Sequence, residues 1–75
     1  MNQNEIDLVK GQIKSKIRKG DYITLGEMIS ENQETARSRF RRGNFEAVMA
    51  MKQIVESREK LIEDFNSEQK KEDNS

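Results

Sequence analysis

Apolar residues along this chain recur at helical intervals in four stretches separated by polar or glycine positions. Ile6, Val9, Ile13 and Ile17 follow one another at spacings of 3, 4 and 4, which stacks them on one face of a helix. This predicts a first helix over 5–18, capped by Asn4 with Asp7 three positions on, and stopped by Gly20. The run Thr24-Leu25-Gly26-Glu27 reads as a capping box. In it the Thr24 hydroxyl and the Glu27 carboxylate would satisfy each other's backbone N–H groups, with Ile23 and Met28 as a hydrophobic staple. A short second helix over 25–30 follows, with Leu25, Met28 and Ile29 inward and Tyr22 as a half-buried anchor before it.

Asn32 reads as the next cap, opening a third helix over 33–42 that Gly43 ends. Its inward stripe is thin, only Ala36 and Phe40, so most of its circumference is polar. After Asn44 no Gly or Pro interrupts the chain, and a fourth helix is expected over 45–66, roughly 33 Å long. It repeats apolar or long side chains at Ala47, Met51, Ile54, Arg58, Leu61 and Phe65, a heptad spacing, beside a second row of Phe45, Val48, Val55 and Ile62. From Ser67 onward the sequence SEQKKEDNS has no apolar residue and reads as a solvated tail over 67–75. The expectation is an all-α, four-helix single domain over 1–66 with a long C-terminal helix.

Composition narrows the chemistry. The chain has 75 residues, 32% of them apolar, so its core is small. It has no Cys and no His, which excludes disulfides, thiolate metal sites and any triad that uses an imidazole base. The four glycines are scattered and form no phosphate-cradling loop. The N-terminal MNQNEIDLVK lacks the basic and apolar regions of a signal peptide, and no apolar run exceeds five residues. These features predict a cytoplasmic protein that is not an enzyme and has no cofactor, no metal, no small-molecule ligand and no membrane segment.

Charge adds a distribution. The formal net charge is zero, from 14 basic and 14 acidic side chains. Residues 1–43 carry nine basic and six acidic groups, whereas residues 44–75 carry five basic and eight acidic. Such a split points to two surfaces with different tasks.

Residues 25–40, LGEMISENQETARSRF, hold Leu25, the small Gly26, Ile29, the capping Asn32, Thr35, the small Ala36 and the closing Phe40 in order. This stretch resembles the helix-turn-helix of lambda-repressor/Cro-like DNA-binding regulators of bacteria, phages and mobile elements. The match spans about 20 residues. It departs from the pattern at Ser30, where the turn usually has Gly, and at Glu31 and Arg39, where apolar residues are common. The resemblance implies that the third helix reads the major groove of double-stranded DNA. Gln33, Glu34 and Arg37 would meet base edges, with Ser38 nearby. Thr35, Arg41, Arg42 and Asn44 would meet phosphates. Lys14 and Arg18, with Lys10 on the same face of the first helix, would form a second phosphate-facing strip.

The apolar stripe of the fourth helix exceeds what so small a domain covers. It implies a homodimer through Met51, Ile54, Val55, Arg58, Leu61, Ile62 and Phe65, and hence two DNA half-sites. The alternative is a protein-interaction module, antitoxin-like or a subunit of a mobile-element complex, that uses this stripe on another protein. A third reading is an excisionase-like architectural DNA binder that bends its site.

Overall fold

A computed structural model describes residues 2–73, with side chains described through Glu68. Four helices follow one another: α1 Gln3–Lys14, α2 Asp21–Ile29, α3 Gln33–Arg41 and α4 Phe45–Asp73. No strand occurs among the described residues. The all-α expectation therefore holds, with a long C-terminal helix. Within the described residues no helix is long and apolar enough to cross a membrane.

The core is one cluster centred on α4. Ala47, Val48, Met51 and Val55 are buried there against Ile6 and Ile13 of α1, Leu25 and Ile29 of α2, and Ala36 and Phe40 of α3. Val9, Ile17, Tyr22, Ala50 and Ile54 border this cluster. Its members sit at helical intervals on each element, so burying one face of each helix generates the packing. Phe45, at the start of the second apolar row of α4, is 52% exposed.

Element boundaries differ from the sequence expectation at three places. First, α1 is capped by Asn2, whose side chain accepts from the Glu5 N–H at 2.9 Å, and the helix ends at Lys14, not Arg18. Asn2 and Glu5 are spaced as an Asn-x-x-Glu cap, which offers the helix an earlier start than Asn4. Second, α2 begins at Asp21, so Thr24 lies within it and the expected capping box does not form. The Thr24 hydroxyl donates back to the Gly20 carbonyl at 3.5 Å, and Ile23 and Met28 are exposed. The earlier start follows from Asp21, whose carboxylate accepts from the Arg18 N–H at 2.7 Å and from Arg58 on α4. Third, α4 continues through Asp73, so the tail expected over 67–75 is helical to that residue, and residues 74–75 lie outside the described ones. Glu, Gln and Lys are good helix formers, and an established helix propagates through them.

The 29 residues of α4 span about 43 Å, most of the molecule's longest dimension of 49 Å. From Glu59 to Glu68 every side chain is exposed, so the helix projects past the body it anchors.

Candidate nucleic-acid interface

The α2–α3 connection is three residues, Ser30 to Asn32. Ser30 adopts the left-handed conformation, with φ 60° and ψ 43°. Its N–H and that of Glu31 both turn back to the Gly26 carbonyl, the latter at 2.8 Å. This is the αL termination in which glycine is usual, here carried by serine. Gly26 is needed for a different reason: a Cβ there would lie 2.6 Å from the Glu31 backbone oxygen. The residue is small because the turn folds onto it.

Asn32 then opens α3, its side chain accepting from the Thr35 N–H at 2.7 Å. At the other end Gly43 sits at φ 76°, with its N–H on the Phe40 carbonyl and the Asn44 N–H on the Arg39 carbonyl, both at 3.0 Å. That pair of bonds is a Schellman termination. Both ends of α3 are therefore fixed by local hydrogen bonds, and Ala36 and Phe40 pin its inner face. What remains outward is Gln33, Glu34, Arg37 and Arg41, all exposed, with Ser38 partly so. The residues expected to reach base edges thus share one solvent-facing surface.

Two side chains of α3, Arg37 on this surface and Arg39 on the opposite flank, are positioned by contacts that sequence reasoning missed. The Arg37 guanidinium carbon lies 5.9 Å from the centroid of the Tyr22 ring, within cation–π range. Tyr22 is itself held edge-on to Phe40, with centroids 6.2 Å apart. Tyr22 is therefore inside α2, beneath Arg37, instead of preceding the helix. The second contact joins Arg39 to Glu31, Nη2 to Oε1, at 3.0 Å. These are the two positions at which the chain departs from the apolar helix-turn-helix pattern. The departures compensate each other: an ion pair spans turn and helix where two apolar side chains would have met.

The expected phosphate-contacting groups are divided by the fold. Arg41 and Arg42 are exposed at the C-terminal end of α3. Lys10 joins them, because its Nζ donates to the Arg41 carbonyl. A cation there also complements the negative end of the helix dipole. Lys14 is exposed at the last turn of α1, but Arg18 lies beyond that helix, in the connection to α2, so the continuous strip of Lys10, Lys14 and Arg18 does not exist. Thr35 is partly buried. Asn44 is exposed, but its side-chain oxygen accepts from the Ala47 N–H at 3.1 Å and so caps α4.

The residues expected at a dimer interface are divided more sharply. Met51 and Val55 are 0% and 1% exposed and belong to the chain's own core, which removes them from any interface between copies. Ile54 is partly buried. Arg58 is used within the chain: Nη1 donates to both Asp21 carboxylate oxygens at 2.6 and 2.7 Å, and Nη2 to the Lys16 carbonyl at 2.6 Å. One guanidinium thus ties α4 to the first turn of α2 and to the α1–α2 connection. Burial by itself raises the Asp21 pKa, but the hydrogen bonds from Arg58 and from the Arg18 N–H, with the charge of Arg58, outweigh it. The carboxyl is left below its ordinary value of 3.8. Leu61, Ile62 and Phe65 remain exposed on the projecting part of α4. Comparison with the known protein families, with curated proteins and with solved structures finds no match to this chain.

Proposed function

We propose that the protein is a sequence-specific binder of double-stranded DNA, acting as a transcriptional regulator of the lambda-repressor/Cro-like type, with α3 in the major groove. The observation that carries this reading is the construction of α3. It is a short helix locked at both ends, set on α2 through a three-residue turn, and its free face holds Gln33, Glu34, Arg37 and Arg41. Arg37 can pair bidentately with guanine, Gln33 with adenine, and Glu34 can accept from cytosine N4. Lys10, Arg41 and Arg42 at the C-terminal end supply cations for the adjoining backbone phosphates. The stacked Tyr22 limits the rotamers open to Arg37, which lowers the entropy lost on ordering it against a base. Action as a homodimer, with α4 joining the copies, is part of the same proposal.

Selection of bound sequences from a random duplex pool, followed by fluorescence anisotropy on the winners across a salt series, tests this reading. An enriched motif and a steep loss of affinity with salt are expected. Failure to bind any duplex at low salt overturns it. The exposed apolar side chains of α4 favour a second reading, a protein-interaction module, in which α3 is only a solvated surface.

A further inference from the structure

We propose that the projecting half of α4 is the site at which a second copy of this chain packs antiparallel, with Phe65 of each copy seated in the α2–α4 groove of the other. This deepens the two-copy part of the reading above and rests on it, and it does not depend on what α3 contacts.

The face is defined by helical register. Ile54, Ser57, Leu61, Phe65 and Glu68 succeed one another at spacings of 3, 4, 4 and 3, so they lie along one side of α4. Leu61 is 71% exposed and Phe65 59% exposed. Ile62, in contrast, points round to the α1–α2 connection, beside Lys16, Ile17, Arg18 and Arg58. Where this face meets the body, Thr24, Met28, Gln53, Ile54 and Ser57 line a shallow, mainly apolar groove, with Met28 45% exposed. Ser57 is the smallest of these side chains, and it is exposed, which leaves room beside it for a large side chain.

Charge selects the orientation. Lys60 and Asp64 flank Leu61 on one edge of this face, and both are exposed. With parallel helices, Asp64 would oppose Asp64 and Lys60 would oppose Lys60. With antiparallel helices crossing at Leu61, Lys60 of each copy lies two residues, about 3 Å along the axis, from Asp64 of the other, close enough for the long lysine side chain to pair with it. The same register brings position 65 of one chain over position 57 of its partner, which places Phe65 at the groove. Leu61, Phe65 and Met28 expose roughly 350 Å² of apolar surface per chain, about 700 Å² for the pair, below the about 1,200 Å² at which stable specific interfaces begin and in the range of transient ones. The dimer is accordingly expected to exchange with monomer in the micromolar range.

Sedimentation equilibrium of the full chain between ~5 and ~500 µM is the first measurement. A monomer–dimer equilibrium is expected, weakened at least tenfold by Leu61→Glu and by Lys60→Glu, and restored when Lys60→Glu is combined with Asp64→Lys. All three positions are exposed, so circular dichroism of each variant should match the parent. The chain has no cysteine, so Ser57→Cys and Phe65→Cys report orientation directly. Mixed together under mild oxidation, they should cross-link to each other in preference to themselves, because a disulfide requires Cα atoms about 6 Å apart. A monomer throughout the concentration range, a dimer indifferent to Leu61→Glu, or preferential Ser57–Ser57 cross-linking would each overturn the proposal. These measurements use no DNA. A monomer that still selects a DNA motif sinks the interface alone, and a dimer that selects none sinks the reading of α3 alone.

Discussion

Ser30 and Gly26 show how much one residue decides in this fold. Ser30 occupies a left-handed position that costs a residue with a Cβ about 1 kcal/mol or more. Ser30→Gly relieves that strain while increasing the freedom of the unfolded chain, and the balance favours the variant by about 0.5 kcal/mol. Urea unfolding should show a higher midpoint with an unchanged slope. Gly26→Ala should do the opposite. Alanine gains about 1 kcal/mol of helix propensity, but its Cβ meets a backbone oxygen at 2.6 Å, and that atom is part of the turn rather than a movable side chain. Overpacking of this kind costs about 1–3 kcal/mol, so a net loss of up to about 2 kcal/mol is expected from the same measurement. Both residues were visible in the sequence as members of a turn. Which of them carries the strain and which the close approach became visible only with φ and distance.

Between elements, three ion pairs occur among the described residues, and they differ in worth: Lys16–Glu59, at 3.3 Å, is half exposed on both sides and contributes little. Glu31 and Arg39 are about one-third exposed each, at 34% and 40% of their side chains. Their coupling in a double-mutant cycle should be no more than about 1 kcal/mol. Replacing both, with Glu31→Val and Arg39→Leu, restores the apolar pattern and should leave stability unchanged or slightly raised, read by thermal unfolding. The Asp21–Arg58 pair is more enclosed, at 10% and 20% exposure, and joins α2, α4 and the α1–α2 connection. Arg58→Gln leaves a buried carboxylate without its cation and should cost about 2–4 kcal/mol at neutral pH. The sign with pH follows from Asp21. Its folded pKa lies below its unfolded one, so the pair's contribution is complete above the unfolded value of 3.8 and is lost as pH falls through the lower folded value. The stability gap between the parent chain and Arg58→Gln should therefore be constant from pH 7 to about 5 and narrow below about pH 4. A gap that widens on acidification would contradict this assignment.

The whole molecule separates a compact body from a projecting helix, and charge follows the same division. The basic excess sits in the part that contains α3, and the acidic excess in α4, whose far end would be directed away from phosphates. Under the DNA-binding proposal, Arg37→Ala should relax sequence preference at one position, with a loss of about 1–3 kcal/mol for the preferred base. Arg42→Ala should weaken binding to all duplexes alike and lower the slope of log affinity against log salt by about 1. Anisotropy titrations on matched and mismatched duplexes would separate the two, and equal behaviour of both variants would remove Arg37 from the base-reading set. Net charge zero is then no argument against nucleic acid, because it sums two surfaces that face different ways.

Local signals in the sequence were sufficient for the helical class, the α3 and α4 starts at Asn32 and Asn44, and the core of Leu25, Ile29, Ala36 and Phe40. Caps, glycine stops and periodicity act within a few residues, so they survive without knowledge of the rest of the chain. The start of α2 was misplaced because a plausible capping box at Thr24 competes with Asp21, and Asp21 is held both by the nearby Arg18 N–H and by Arg58, 37 residues away, a contact no local signal announces. The α1 strip failed for the same reason, since a helix ending at Lys14 cannot carry Arg18. Met51, Val55 and Arg58 shared a heptad with Leu61 and Phe65, and periodicity alone gave all five one role. Tertiary packing divided them: the first three lie where α4 crosses the other helices, and the last two lie beyond the point at which those helices end. Periodicity specifies which face of a helix is apolar, but only the position of the neighbouring elements determines how far along that face its own chain covers it.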